Sequence, residues 1–377
     1  MIYLDHAATT PLPEAVADTM YDVLRHQFGN PSAQYPLGRE AKELVEEARR
    51  TIAGALGCPP SALHFTSCGT ESDNWAIRAA AWQGRHTGRH IITTAVEHSA
   101  VLEPCRQLEQ EGYEVTYLKP DRTGHISAGQ VAEALREDTV LVSVMLVNNE
   151  TGCLFPVADI ARLLKERGSR ALLHCDAVQG FLKVPCAPAG WGVDLMSLSA
   201  HKLGGPKGIG ALYVRPDLRN LRPLLAGGGQ EEGLRSGTEA TAQIAGFAKA
   251  VALRQEGLEE KLAHMARIKA YCRERLLSIP GVVPVGGGEA PHILAVSLVG
   301  YPSANVINDL GSQGICLSAG SACHRGKASR GYAALGLDKR TAAGVLRLSF
   351  GPETTEGDID ALYEALLRHK NTRFSML

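Results

Sequence analysis

A lysine stands in Ser197-Leu198-Ser199-Ala200-His201-Lys202-Leu203-Gly204-Gly205-Pro206, just past a short apolar run, and an aspartate closes an earlier run in His174-Cys175-Asp176-Ala177-Val178-Gln179. An amine and a carboxylate so placed suit pyridoxal 5'-phosphate (PLP). The amine tethers the aldehyde, and the anion keeps the ring nitrogen protonated so that the ring withdraws electrons from a substrate carbon. Hydroxyl groups beside the lysine offer phosphate contacts, and the glycines after it let backbone pass close to a flat ring. Taken singly, Lys202 is a solvated turn residue and Asp176 a helix cap. The rest of the chain decides between these readings.

Three further stretches supply chemistry of the matching kind. Phe65-Thr66-Ser67-Cys68-Gly69-Thr70-Glu71-Ser72 joins an apolar run to a helical one through small hydroxylated residues. The N–H groups at such a helix start form a phosphate cradle. Ser67 or Thr70 capping the helix, with Glu71 closing a capping box, uses the same end. His98, in Val96-Glu97-His98-Ser99, projects from a sheet edge, where an imidazole can stack on a ring and move protons; a lone histidine there is otherwise a structural hydrogen-bonder. Asn148-Asn149-Glu150-Thr151-Gly152 ends another run, and its amides either bind a carboxylate or the cofactor's 3-oxygen, or form an Asx turn.

Cys323 lies among Ser318-Ala319-Gly320-Ser321-Ala322 and His324-Arg325-Gly326-Lys327. Neighbouring cations favour the thiolate and glycines allow the loop to swing, which makes this thiol the candidate nucleophile. Cys58, Cys105, Cys153, Cys175, Cys186 and Cys272 read instead as inert core thiols.

The elements that must position these groups are legible as alternation. From about residue 60 to 215, short β-branched runs at 63–66, 91–94, 114–117, 140–144, 171–174, 195–198 and 211–214 alternate with longer stretches of helical period. That pattern predicts an α/β fold with a mostly parallel seven-stranded sheet covered by helices, with ligands at the carboxyl ends of its strands. Residues 39–56 carry one apolar helix face. Helix is expected from 238 to 278 with a break near Gln255-Glu256-Gly257, followed by a strand at 293–298, a helix at 304–313, a strand at 345–350 and a closing helix at 355–368. We divide the chain into a large PLP-binding domain, 16–255, and a smaller α/β unit formed by 1–15 and 256–377, which carries the nucleophile loop (about 316–331).

Length and charge bound the rest. With 377 residues the chain can bury a sizeable core, and 39 basic against 40 acidic residues leave no basic field of the kind nucleic acid requires. No apolar run reaches the ~18 residues of a membrane span, and the start of the chain has neither the basic region nor the apolar core of a signal peptide, so a cytoplasmic protein is expected. The nine cysteines are scattered, with no Cys-x-x-Cys pair, so we expect reduced thiols and no metal.

Taken together, Asp5-His6-Ala7-Ala8-Thr9-Thr10, Gly29-Asn30-Pro31-Ser32, Thr66 to Asn74, Glu97-His98-Ser99, Asn148 to Gly152, Asp176 to Gln179, Ser199 to Lys202, Arg235-Ser236-Gly237-Thr238 and Ser318 to Cys323 resemble the cysteine desulfurases, which are fold-type I, class V PLP enzymes. The resemblance runs from residue 3 to about 351. It implies that Lys202 attaches to PLP, Asp176 pairs with the ring nitrogen, Gln179 contacts the 3-oxygen and His98 stacks on the ring. Gly69, Thr70, Ser199 and His201 would hold the phosphate, joined by Thr238 from the other subunit of a homodimer. Asn149 and Arg347 would grip the substrate carboxylate. The implied reaction takes sulfur from L-cysteine, gives L-alanine and leaves a persulfide on Cys323 for an acceptor in iron-sulfur cluster biogenesis or thiolation. The alternatives are a selenocysteine lyase, a class V aminotransferase, or a non-catalytic sulfur-transfer partner protein.

Overall fold

The structure is a computed structural model that describes residues 1–320 and 330–372. Twelve strands occur among them: β1 (Ile2–Tyr3), β2 (Leu63–Thr66), β3 (His90–Thr94), β4 (Glu114–Leu118), β5 (Thr139–Met145), β6 (Leu172–Asp176), β7 (Leu195–Ser199), β8 (Gly210–Val214), β9 (Val282–Pro284), β10 (Ile293–Leu298), β11 (Ile315–Cys316) and β12 (Val345–Ser349). Seven form one sheet in the order β2-β8-β7-β6-β5-β3-β4. The β4-β3-β5-β6-β7 part is parallel, and β8 runs antiparallel to both of its neighbours. The expected mostly parallel sheet is therefore present.

Burial explains why these runs become strands. All seven residues of β5 are buried, as a parallel strand covered on both faces requires. On one face the sheet packs against a cluster that includes Ile52, Phe65, Val142, Met196 and Phe247. On the other lie Trp75, Ile77, Ile91, Val101 and Leu212. A separate cluster gathers Leu4, Ile268, Val296, Leu348 and Leu362 around the three-stranded antiparallel sheet β12-β10-β9. The chain start belongs there, since β1 pairs with β11 and Asp5 bridges to Ser349.

Helix boundaries follow local chemistry. Helix Pro36–Leu56 opens on a proline at its first position and ends at Gly57, whose φ of 72° is the left-handed conformation that closes a helix. The long helical stretch after Thr238 is two helices, Thr241–Gln255 and Leu258–Leu277, separated at Gly257 with φ 59°. That is where the sequence put the break.

One buried ion pair fixes β2. Arg49 meets Glu231 through two hydrogen bonds of 2.7 and 2.9 Å, and Arg49 also donates to the Leu63 carbonyl at 2.7 Å. Glu231 in turn accepts from the Phe65 N–H at 2.9 Å. Removing one partner strands the other charge in the interior. Glu231→Ala should therefore cost about 3–5 kcal/mol in urea unfolding; a loss below about 1 kcal/mol would mean that water screens the pair.

Candidate active site

A cavity of about 270 Å³ opens at the carboxyl ends of the parallel strands. Ten of the residues singled out from sequence line it: Gly69, Thr70, His98, Asn149, Asp176, Gln179, Ser199, His201, Lys202 and Arg347. Thr238 is exposed and outside it. Cys323, His324, Arg325 and Lys327 lie outside the described residues.

Lys202 closes the 3-10 turn Ala200–Lys202 directly after β7. Its Nζ donates to the carbonyls of Ala7 and Ala8, both at 2.7 Å, so the N-terminal segment holds the amine in place. Gln179 belongs to the same arrangement: its Nε2 donates to the Ala7 carbonyl at 2.8 Å while its Oε1 accepts from Lys183 Nζ at 3.2 Å. His201 lies 3.2 Å from the Thr9 hydroxyl through Nδ1. Burial, reinforced by Lys202 and Lys183, lowers its pKa to about 4, so the ring is neutral.

The opposite charge sits on Asp176, the last residue of β6, whose Oδ1 accepts from the Val178 N–H at 2.9 Å. Burial raises its pKa, while His98 and Lys202 act to lower it. His98 caps helix Ser99–Gln110 by accepting the Ala100 N–H on Nδ1 at 3.2 Å. Asn148 forms the Asx turn, its Oδ1 accepting from the N–H groups of Glu150 and Thr151. This turn sets the Asn149 carbonyl 2.8 Å from Arg347 Nη1.

The loop before helix Gly69–Gly84 is shaped for an anion. Its N-cap residue, Cys68, makes no side-chain capping bond, and Glu71 reaches back to the Ser67 N–H at 2.9 Å instead of Ser67 capping forward. Helix N–H groups are thereby left facing a cavity that Gly69 and Thr70 line. A Cβ at Gly69 would come within 2.7 Å of Val178, so a side chain would fill the space. Ser199 Oγ is buried with no hydrogen-bond partner among the described residues.

Three residues of the site were not singled out from sequence. Asp73 lines the cavity; its Oδ1 lies 3.5 Å from His174 Nε2 and has no hydrogen-bond partner among the described residues. Burial and the neighbouring Asp176 raise its pKa well above the usual carboxyl range. His174 bridges the hydroxyls of Ser143 and Ser197 at 2.8 and 3.0 Å, and burial lowers its pKa to about 3. Glu97 accepts from Thr94 Oγ1 and the Met145 N–H, both at 2.9 Å. His174 alone was legible, because strand alternation sets it on the face of Asp176.

These residues fit PLP. An orphan hydroxyl and an uncapped helix start call for a phosphate, and two buried carboxyls whose pKa values are raised call for a cation such as a protonated ring nitrogen.

A profile of the Aminotransferase class-V family matches residues 2–362. A putative cysteine desulfurase, IscS 1, of Bacillus subtilis (strain 168) is 42% identical over 356 residues, covering 93% of each chain. Cysteine desulfurase IscS of Vibrio campbellii is 41% identical over 374 residues, 97% of this chain and 91% of that protein. Among solved structures, a NifS-like protein superposes with a TM-score of 0.93 at 36% identity, covering 99% of this chain and all (100%) of that one. SspA in complex with cysteine superposes at 0.81 with 34% identity over 94% of this chain and 100% of that one. The chain belongs to the class-V aminotransferase family, and its α/β architecture is that family's fold.

Glu97 supplies a test of the buried carboxyls. Burial raises its pKa from 4.5 to about 8. The folded protein thus holds a proton that the unfolded chain releases, so the stability from this group is complete below about 4.5 and is lost as pH rises toward 8. Glu97→Gln stays uncharged throughout. Urea unfolding of the cofactor-free protein should lose at least ~1 kcal/mol less between about pH 5 and 8 in the variant than in the wild type. Identical pH slopes would contradict a protonated Glu97.

Proposed function

We propose that this chain is a PLP-dependent cysteine desulfurase that converts L-cysteine to L-alanine and holds the sulfur as a persulfide on Cys323 for an acceptor protein. The observation that carries the reading is one cavity shared by a tethering amine (Lys202), a ring-nitrogen anion (Asp176), an imidazole (His98) and a carboxylate-binding guanidinium (Arg347). The relatives named cysteine desulfurase over more than nine-tenths of their length support the choice of substrate.

When bound, PLP supplies an electron sink conjugated to the substrate α-carbon. Lys202 is the residue that tethers it, Asp176 the anion beside its ring nitrogen and Gln179 the amide at its 3-oxygen. Gly69, Thr70, Ser199 and His201 are the phosphate contacts, with Thr238 contributed across a homodimer. Arg347 and Asn149 orient the cysteine carboxylate, which a planar guanidinium can grip through two donors. Lys202 Nζ, drawn close by the Ala7 and Ala8 carbonyls, takes the α-proton. The Cys323 thiolate attacks the substrate sulfur, so an S–S bond forms as the Cβ–S bond breaks; the electron pair left at Cβ is protonated, and Lys202 returns a proton to the α-carbon to give alanine.

Sulfur delivery to an iron-sulfur cluster assembly or thiolation protein follows from that product. Among the described residues no helix is long and apolar enough to cross a membrane, and the eight described cysteines are unpaired, which supports a reducing, cytoplasmic setting. The separate clusters around Leu4 and Val296 and around Phe65 and Val142 support a division into 16–255 and 1–15 with 256–377.

Incubation of the holoenzyme with L-cysteine without reductant should add the mass of one sulfur atom to the peptide bearing Cys323. Cys323→Ala should retain bound cofactor yet lose alanine production by about a hundredfold or more, a size typical of losing a nucleophile. Alanine formation at the full rate in that variant would sink the assignment of the thiol. Lys202→Ala should release PLP on dialysis; retention of a borohydride-reducible chromophore would sink the tether.

A further inference from the structure

His125, Cys153 and Glu289 come together away from the cofactor cavity, with one ligand atom of each lying within 4.8 Å of the others. They arrive from segments as much as 164 residues apart, so no spacing in the sequence reveals them. His125 and Glu289 each have their other polar atom committed elsewhere. The Thr123 hydroxyl bonds Asp121 Oδ1 at 2.7 Å and His125 Nδ1 at 2.8 Å. A hydroxyl that donates to a carboxylate accepts from the ring, so Nδ1 of His125 carries a proton, while Nε2 faces the cluster in a hydrogen bond with Glu289 Oε1 that a bound cation would replace. Glu289 Oε2 accepts the Leu154 N–H at 2.9 Å, which leaves Oε1 beside His125 Nε2. Cys153 Sγ is 3.2 Å from the Thr123 carbonyl. That carbonyl also accepts the Gly287 N–H, so it keeps a partner if the thiol turns away. Gly124, with φ 95°, is required by the turn, and a Cβ there would come within 2.9 Å of the sulfur.

We propose that these three side chains bind a zinc-class divalent cation. Nitrogen, thiolate sulfur and carboxylate oxygen are the donors such an ion takes, and the hydroxyl and carboxylate behind His125 are the outer partners that orient a ligating imidazole. As the metal–sulfur bond forms, Cys153 gives its proton to solvent. The thiolate and carboxylate then balance the 2+ charge. Water takes the fourth position, because His125 is partly and Glu289 well exposed while Cys153 is buried. Lys269 is the opposing charge; its Nζ donates to the carbonyls of Gly288 and Ala290, and burial lowers its pKa to about 8. The ion would clamp the 121–125 and 151–154 turns to the segment before β10, in a chain whose scattered cysteines led us to expect no metal.

The test uses holoenzyme stripped with a chelator and titrated with zinc alone. One zinc per chain should bind, with X-ray absorption reading one sulfur neighbour at about 2.3 Å and nitrogen or oxygen at about 2.0–2.1 Å. Cys153→Ser should abolish the sulfur neighbour. Glu289→Gln, at an exposed position that leaves folding intact, should weaken binding by about tenfold or more. The sulfur neighbour should persist in Cys323→Ala. No zinc retained at micromolar free metal, a sulfur neighbour that survives Cys153→Ser, or one lost only in Cys323→Ala would each overturn the proposal. None of these readouts depends on desulfurase activity.

Discussion

A single guanidinium ties together the parts that make the cavity. Arg347 on β12 is only 2% exposed, with Nη2 on Asp5 Oδ1 and Nη1 on the Asn149 carbonyl, both at 2.8 Å. A buried cation left without partners costs several kcal/mol, so the chain start, the turn after β5 and the antiparallel sheet are held together by its demand for acceptors. The consequence reaches the lysine. With Asp5 fixed, Ala7 and Ala8 present their carbonyls to Lys202, Ala7 also takes the Gln179 amide, and Thr10 bonds the His201 carbonyl through both its N–H and its hydroxyl. Ser318 pairs with Arg347 through both backbone bonds, so the segment leading toward Cys323 starts from the same strand.

The electrostatics of the cavity follow from where charges can be balanced. Asp73, Asp176 and Glu97 are buried close to one another, and burial raises the pKa of each. His174 and His201 are neutral for the same reason, with pKa values lowered to about 3 and about 4. Burial thus opposes charge in the walls of the cavity, which Lys202 and Arg347 also line. Arg347 Nε has no hydrogen-bond partner among the described residues. A ligand that brings a cation to the carboxyls and anions to the helix start and the guanidinium relieves every one of these mismatches. PLP with an amino acid has that distribution of charge, which is why burial of these groups becomes useful on binding.

What the sequence discloses follows how far apart the causes lie. Each of the seven large-sheet strands was readable as a short β-branched run, such as Val140 to Val144, which is apolar but for Ser143, and the break at Gly257 because one residue alone sets it. Residues at strand ends, Asp176 and Lys202, were readable because topology sends every such end to one edge. The two-residue strands β1 and β11 have no periodicity to detect; they exist because Leu4 packs into the cluster of Val296 and Leu348. Asp73 lay inside a stretch that had drawn notice, yet its role depends on His174 and Asp176, about a hundred positions away. The Arg49–Glu231 pair spans 182 residues. Contacts of that kind are fixed only when the whole sheet closes, and the same is true of His125, Cys153 and Glu289. Local chemistry therefore marked the tether and its counter-anion, while the groups that tune them belong to the assembled fold.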